Sequence, residues 1–250
     1  MTPDAVAVVV PVHDEADLLD RCLAALTTAL EHTGQTHPGV RIAPVVVLDA
    51  CTDASEVIAR SWPVRTLRID ARCVGAARRA GVAEALDELG DVPPARTWIA
   101  TTDGDSVVPP NWLSHQLDLH AAGAEVVLGT VRPDFADLTA RHAAHWIATH
   151  HPGNPAGNVH GANLGLSGEV YVAAGEFADL DEHEDVELVR GARAVGARVV
   201  ATDHNEVITS GRFDGRTPGG YAAFVRATHA RLSDRHDVSG VRTIAAPQHE

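Results

Sequence analysis

Apolar and amphipathic segments alternate along the first half of the chain. Residues 6–12 form a nearly continuous β-branched run, typical of a strand buried on both faces. Residues 16–31 carry leucines at helical spacing and predict an amphipathic helix. The same patterns predict strands at 45–48, 64–69, 97–102 and 125–131, and helices at 53–61, 75–89 and 110–120. Alternation of this kind predicts an α/β fold with a mostly parallel, doubly wound sheet.

The boundaries of these helices have sequence signals of their own. Asp53 is a plausible N-cap, Gly90 closes the third helix, and Pro110 suits the first turn of the fourth.

The second half of the chain is less regular. Residues 151–161 are rich in Gly, Pro and Asn and predict a loop. Strands are predicted at 162–166 and 198–202, and helices at 184–195 and 217–231. The sequence shows no repeat and no clear linker, so we expect a single domain over residues 1–232 and a polar C-terminal tail over 233–250.

Polar clusters follow three of the predicted strands. They are His13-Asp14-Glu15, Asp49 and Asp103-Gly104-Asp105. In open α/β sheets, ligands bind outside the carboxyl ends of the strands. We therefore expect these clusters to converge on one edge of the sheet and to form the site.

Asp103 and Asp105 are separated by one residue directly after a buried strand. Two carboxylates at this spacing can share a divalent cation and a diphosphate, and carboxylate oxygens suit Mg²⁺ or Mn²⁺. Such a cation would neutralise charge on a phosphorylated ligand. Solvated turns also contain this pattern, so its position after a strand carries the argument.

The net charge limits the kinds of binding partner that we expect. The 250 residues have a formal net charge of −14, and nucleic-acid-binding surfaces are usually basic, so nucleic acid is not an expected partner. A phosphorylated ligand would need a local cation, a helix N-terminus or placed arginines.

The three cysteines show no disulfide or zinc spacing, and the N-terminus lacks the features of a signal peptide. No stretch approaches the length of a transmembrane helix. The expectation is a cytoplasmic protein, and assembly into homodimers is compatible with the sequence.

Six segments together resemble family 2 glycosyltransferases of the GT-A fold, over about residues 5–210. They are Val8-Val9-Val10-Pro11-Val12-His13-Asp14-Glu15, Val46-Val47-Leu48-Asp49-Ala50-Cys51-Thr52-Asp53, Gly75-Ala76-Ala77-Arg78-Arg79-Ala80-Gly81, Asp103-Gly104-Asp105 with Pro109 and Trp112-Leu113, Gly161-Ala162-Asn163-Leu164, and Glu184-Asp185-Val186-Glu187-Leu188. The resemblance implies a GT-A-type Rossmann-like sandwich, with a mostly parallel central sheet flanked by helices. It also implies an inverting transferase that uses a nucleotide-diphosphate sugar, UDP- or GDP-linked, and an unknown acceptor.

The resemblance also implies roles for the matching residues. Donor binding would involve Pro11, His13, Glu15, Asp49, Arg78, Asp103 and Gly104. Within this set, Asp49 would reach the base, and Arg78 would lie near the phosphates. Asp103 and Asp105 would hold the ribose and the metal.

Asp185 would be the general base, with Glu184 beside it. A carboxylate within hydrogen-bond reach of an acceptor hydroxyl suits that role, although acidic residues are also common at a helix start.

Several positions depart from the family pattern. His13 replaces an aromatic Tyr, Leu48 replaces the first Asp of its segment, Ala50-Cys51 replaces Gly-Ser, and Arg79 stands where Asn is common. These departures leave the nucleoside and sugar preference undecided.

Three weaker features concern phosphate and metal binding. Arg212, with Arg216 nearby, could clamp the diphosphate bidentately. His204 could be a third metal ligand. The histidines at 142, 145, 150 and 151 lack an accompanying ligand motif, so a partly exposed helix and loop is favoured over a zinc site.

Two other functions compete with the transferase. One is a nucleotidyltransferase that makes a sugar nucleotide, which would normally carry a Gly-rich, basic loop after the first strand, where this chain has acidic residues. The other is a non-catalytic nucleotide-sugar-binding module, against which the presence of Asp105 and Asp185 counts.

Overall fold

The computed structural model describes residues 2–153, 155–215 and 219–237, and for 234–237 the backbone only. The strands are β1 (Ala5–Val12), β2 (Arg41–Asp49), β3 (Arg65–Ile69), β4 (Thr97–Thr101), β5 (Ser106–Val107), β6 (Val126–Pro133), β7 (Leu164–Ser167) and β8 (Val199–Thr209). The α-helices are α1 (Ala16–Thr36), α2 (Ser55–Ala59), α3 (Val74–Leu89), α4 (Trp112–Ala121), α5 (Ala140–Thr149), α6 (Gly168–Ala173), α7 (Glu184–Ala194) and α8 (Tyr221–Asp237).

All eight strands belong to one sheet in the order β3-β2-β1-β4-β7-β6-β8-β5. The first four of these strands are parallel to one another. Beyond them β7 inserts antiparallel between β4 and β6, and β5 pairs antiparallel with β8. The predicted α/β fold with helices around a central sheet is confirmed, and its parallel part is the half that carries the predicted strand-end clusters.

The central strands are buried on both faces, as their apolar runs predict. Every residue from Ala5 to Val10 in β1 is fully buried. Helix α3 packs directly on this part of the sheet, and a Cβ at Gly81 would overlap the side chains of Val9 and Val47. The close approach of α3 brings Arg78, one turn earlier, to the sheet edge where the strands end.

Several element boundaries differ from the prediction. Helix α2 begins after Ala54, and Asp53 instead accepts hydrogen bonds from the N–H groups of Ala16 and Ser55. Helix α4 begins at Trp112, beyond Pro110. The segment predicted as a strand at 162–166 starts with a 3₁₀ turn, Gly161–Asn163, before β7. Strand β8 and helix α1 are longer than predicted.

The chain divides into two compact units, Met1–Arg132 with His151–Ser210, and Pro133–His150 with Gly211–Glu250. The sequence predicts one domain over residues 1–232 and a tail from 233, but position 233 lies within α8, which continues to Asp237. Residues 238–250 lie outside the described residues.

In the second unit, α5 packs against α8. Trp146 stacks on His150 with ring centroids 3.5 Å apart and meets Phe224 edge-on at 6.3 Å. His142, on the same helix, is buried beside His229. Among the described residues, the histidines of this segment do not gather into a three-ligand metal group.

No helix in the described part of the chain combines the length and apolar character needed to cross a membrane.

Candidate functional site

The carboxyl ends of β1 and β4 lie side by side, and this places the Asp103-Gly104-Asp105 turn against the end of β1. Val9 pairs with Thr101 in the parallel register, and the N–H of Thr102 donates to Val9 O. A Cβ at Gly104 would lie 2.9 Å from Cγ2 of Val12, so the turn needs glycine to approach β1 this closely. The predicted convergence of these two clusters is therefore observed.

The carboxylate of Asp103 is held on one side only. Its Oδ1 accepts from Nη2 of Arg78 at 2.5 Å, and its Oδ2 has no protein donor among the described residues. About a third of the side chain, 36%, is exposed. Asp103 thus offers one carboxylate oxygen to a ligand at the sheet edge.

The carboxylate of Asp105 is held by partners that sequence analysis did not identify. Oγ1 of Thr209 donates to Oδ1 of Asp105 at 3.1 Å, and Oγ of Ser106 lies 3.0 Å from the same Thr209 hydroxyl. These contacts follow from the pairing of β5 with β8, where Ser106 faces Thr209. A pairing between positions 103 residues apart leaves no local sequence signal.

The Asp103 and Asp105 pair fits a divalent cation of the Mg²⁺ or Mn²⁺ type. Both residues supply hard carboxylate oxygens, and Oδ2 of Asp103 meets no protein donor in the described chain. The nearby thiol of Cys22 is not a suitable ligand, because burial and the negative charge of Asp105 raise its pKa and keep it protonated.

Arg78 lies beneath this turn, within the protein. Its two terminal nitrogens pair with Asp103 and with Glu184, and the side chains of Arg78 and Glu184 are each only 4% exposed. The guanidinium fills the space where a side chain at Gly161 would otherwise lie. Arg78 and Glu184 are therefore both buried in the described structure, and each compensates the charge of the other.

The Gly161-Ala162-Asn163 segment links the end of β4 to Asp185. Oγ1 of Thr101 donates to the carbonyl of Gly161 at 2.6 Å, and the Gly161 N–H donates to Oδ2 of Asp185 at 2.6 Å. Asn163 is fully buried and donates to the carbonyls of Thr130 and Asn205. The segment is thus a rigid bridge between β4 and the start of α7.

Asp185 lies at the N-terminus of α7, as predicted. The residue before the helix, His183, has a left-handed φ of 66°, which turns the chain sharply into the helix. Oδ1 of Asp185 also accepts from the N–H of Val186 at 2.7 Å. A helix N-terminus stabilises a negative charge at this position.

His160 lies next to this bridge, and sequence analysis did not single it out. Burial lowers the pKa of His160, while the charges of Asp185 and Asp103 act in the opposite direction. The ring is therefore within electrostatic reach of both predicted functional carboxylates.

The predicted nucleoside-binding residues surround the ends of β1 and β2. Nδ1 of His13 lies 2.6 Å from the carbonyl of Asp49. The buried carboxylate of Asp49 accepts hydrogen bonds from the N–H groups of residues 71, 72 and 73. The N–H of Glu15 donates to Oγ of Ser55, and Pro11 is half-buried near the Gly104 turn. Asp49 thereby fixes the loop that leads into α3.

Three of the five residues that depart from the family pattern lie at one place. Leu48, Ala50 and Cys51 line an open pocket of about 270 Å³ at the carboxyl ends of β2 and β3, together with Arg68 and Arg72. Ala50 has a left-handed φ of 52° at a position where the pattern has glycine. These substitutions alter the wall of the sheet edge next to Asp49.

Asp14 closes the loop that follows β1. Its carboxylate accepts from the N–H groups of Thr52 and Asp53, and these bonds, that of Thr52 above all, lower the pKa of Asp14. Asp14, Cys51 and Asp53 place ligand atoms within 4.8 Å of one another. Both carboxylates hold backbone N–H groups, so the cluster has a structural role.

His204 is not brought to Asp105 within the first unit. His204 precedes Thr209 by five residues in β8, so it lies roughly 16 Å further along the strand at the usual rise per residue. Its ring stacks on that of His115 at 5.5 Å. Arg212 belongs to the second unit, and Arg216 lies outside the described residues.

Comparisons with known proteins agree with this architecture. The sequence profile described as glycosyl transferase family 2 matches residues 7–180, well over half of the chain. No protein among those with curated descriptions matches this chain.

Solved structures share the fold at low identity. The mannosyltransferase PcManGT from Pyrobaculum calidifontis, in complex with GDP-Man and Mn²⁺, has a TM-score of 0.61 and 20% identity over 99% of this chain and 66% of that one. S. aureus TarS 1-349 has a TM-score of 0.59 and 14% identity over 96% and 73% of the two chains. Glucosyl-3-phosphoglycerate synthase from Mycobacterium tuberculosis, with Mn²⁺ and UDP, has a TM-score of 0.53 and 13% identity over 93% and 80%.

This chain thus spans only about two thirds of the length of the mannosyltransferase. At these identities the likeness concerns the fold alone, and the family assignment rests on the sequence profile. The chain belongs to glycosyl transferase family 2 and is a glycosyltransferase.

Proposed function

We propose that this protein transfers a sugar from a nucleotide-diphosphate sugar, UDP- or GDP-linked, to the hydroxyl of an acceptor, with inversion. Mg²⁺ or Mn²⁺ would be held by Asp103 and Asp105, and Asp185 would be the general base. Support comes from family membership and from the GDP-Man, UDP and Mn²⁺ complexes of proteins that share the fold.

The observation that carries the proposal is the short connection between Asp103 and Asp185. Arg78 binds Asp103 and packs against Gly161, and the Gly161 N–H binds Asp185. The connection holds the donor-side and acceptor-side carboxylates in fixed relation at the edge of the sheet, which favours a single displacement between a bound donor and acceptor.

Asp185 accepts the proton of the acceptor hydroxyl while the oxygen of that hydroxyl forms the new bond to the anomeric carbon. The bond between the anomeric carbon and the diphosphate oxygen breaks, and the nucleoside diphosphate leaves with the electron pair. A cation held by Asp103 and Asp105 supplies charge neutralisation for the departing diphosphate when bound.

The same cation would reduce the electrostatic repulsion between an anionic donor and a protein of net charge −14. The donor-binding roles of Pro11, His13, Glu15, Asp49 and Gly104 remain proposals that rest on the family pattern. That of Arg212 is a proposal that rests on the ability of a guanidinium to bind phosphate through two hydrogen bonds. A cytoplasmic location is likewise proposed, and is supported by the three free cysteines of the structure.

The test is a turnover assay. The protein is incubated with UDP- and GDP-sugars and Mn²⁺, and free nucleotide is measured over time, with Asp185→Asn as the control for catalysis. Slow release of UDP or GDP by the wild type, reduced in the variant, is the expected result. Pyrophosphate exchange would instead favour a nucleotidyltransferase, and nucleotide binding without turnover a non-catalytic binding module.

A further inference from the structure

Three charged side chains from three separate segments meet below the sheet edge. Arg78 comes from α3, Asp103 from the turn after β4 and Glu184 from the first position of α7. Of the three, only Asp103 is substantially exposed. One positive and two negative charges leave a net negative charge, and the accessible group that carries it is Asp103.

The position of Arg78 is fixed from several sides. Its guanidinium lies against the backbone of Gly161, where a Cβ would overlap it, and its Cζ lies 5.9 Å from the centre of the Phe177 ring. Its Nε is buried and has no hydrogen-bond partner among the described residues. The planar guanidinium binds the two carboxylates through its two terminal nitrogens, a geometry that a lysine could not reproduce.

This arrangement leaves Arg78 poorly placed to bind a donor phosphate, since both terminal nitrogens already face carboxylates. Glu184 is equally poorly placed to accept a proton from an acceptor, because its carboxylate is buried against Arg78. A buried carboxylate of this kind needs its cation, and the cation needs it.

We propose that Arg78 and Glu184 are positioning residues: Glu184 holds Arg78, and Arg78 orients Asp103 so that its second oxygen serves the metal–nucleotide site. This inference rests on the proposed function and replaces a catalytic role for Glu184 and a phosphate-binding role for Arg78. It makes α7, which carries the candidate base, a support of the donor site as well.

The proposal predicts a selective defect. In Glu184→Gln, Arg78 keeps its charge but Asp103 alone balances it, so less negative charge is left for a cation. Mutation of a residue that orients a metal ligand typically lowers metal affinity or activity about 10–100-fold. Nucleotide affinity with Mn²⁺ should fall by that order, while the affinity measured in EDTA should stay the same or rise slightly.

The experiment is calorimetry of Mn²⁺ alone, and of UDP and GDP with Mn²⁺ and with EDTA, on the full chain. The variants are Glu184→Gln and Arg78→Lys. The matched controls are Arg79→Lys and Glu187→Gln, which lie on the same two helices in exposed ion pairs with Asp179 and Arg190. Thermal melts of each variant report whether the fold is kept.

If Glu184→Gln does not fold, Gly161→Ala tests the same contact. Its new Cβ displaces the Arg78 guanidinium without changing any charge. Loss of Mn²⁺-dependent affinity with retained affinity in EDTA, in either variant, supports the proposal.

Two results would overturn it. The first is that a folded Glu184→Gln changes Mn²⁺-dependent affinity by less than about threefold, well below the effect of an orienting residue. The second is that Arg78→Lys loses affinity equally in Mn²⁺ and EDTA, as a direct phosphate ligand would. A wild type that binds neither nucleotide would overturn the proposed function itself, and with it this role for Arg78.

Discussion

The N–H of Gly161 donates a hydrogen bond to Oδ2 of Asp185 at 2.6 Å. The bond joins the Gly161-Ala162-Asn163 segment to the first turn of α7. It uses one lone pair of Oδ2 and leaves the second for another partner. A general base is effective when its position is fixed by its surroundings. This bond fixes the position of Asp185, as the proposed role of general base requires.

Asp185→Asn should abolish transfer and spare donor binding. The amide oxygen can still accept from Gly161, while the bond from the Val186 N–H to the other oxygen is lost, and an amide cannot take up a proton at neutral pH. A general base contributes about 10²–10⁴-fold in rate, so turnover should fall by that amount or more. Turnover with a matched acceptor and calorimetry of the nucleotide measure the two parts separately.

The control for that variant is Glu187→Gln, an exposed acid on the same helix. If Asp185→Asn keeps more than about a tenth of wild-type turnover, well short of the loss of a base, the base lies elsewhere, and Glu182 is the next residue to test.

Asp105→Asn should lose metal-dependent nucleotide binding while it keeps the fold. The amide oxygen can still accept from Thr209, the contact that ties this turn to β8. Nucleotide affinity in Mn²⁺ should fall by more than about tenfold, because mutation of residues that only support metal ligands already lowers metal affinity by about that factor. Thermal melting and calorimetry test both statements, with the exposed Asp91→Asn as control. A cooperative loss of folding would show that Asp105 is structural.

The strand-end carboxylates could be predicted because buried strands have a strong local pattern. The apolar run before His13 and the strand before Asp103 each fix where a parallel strand ends, and parallel strands end at the same edge. The α/β fold and the neighbourhood of Asp103 and the β1 end follow from that rule.

The contacts that hold these carboxylates could not be predicted. The two-residue strand β5 exists only through its pairing with β8, about a hundred residues later. Polar residues interrupt β8, so the sequence predicts only its first half. The position of His204 along the strand, away from Thr209, is therefore not predicted. The buried pair of Arg78 and Glu184 likewise depends on packing between helices far apart in sequence.

Ala50→Gly should stabilise the protein. Ala50 has φ of 52°, a left-handed conformation that costs a non-glycine residue about 1–2 kcal/mol, partly offset by the greater chain entropy of glycine in the unfolded state. A gain of about 1 kcal/mol should raise the Tm by about 2–4 °C. Ala122→Gly is the control, because Ala122 has φ of −79° and gains nothing from glycine. An unchanged or lower Tm for Ala50→Gly would contradict the assigned backbone strain.

The stability of the second unit should fall in mild acid. Burial, followed by the charges of His229 and His145, lowers the pKa of His142. Below about pH 6.5, the ordinary histidine value, the unfolded chain takes up a proton that the folded state resists, so stability is lost as the pH falls. Urea unfolding between about pH 7.5 and about pH 5.5 should show this decline.

His142→Leu should reduce the decline, because the substitution removes this group while its apolar side chain suits the buried position. The exposed His151→Gln should leave the decline unchanged. The same pH dependence in His142→Leu as in the wild type would assign the effect to other groups.

The metal-dependent nucleotide site is the central claim, and calorimetry of UDP and GDP with the wild type, first with Mn²⁺ and then with EDTA, tests it most directly. The Asp103 and Asp105 pair predicts that one of the two nucleotides binds with Mn²⁺ and binds more than about tenfold less tightly in EDTA. Equal affinity for that nucleotide in both conditions would contradict the assignment of these carboxylates to a metal.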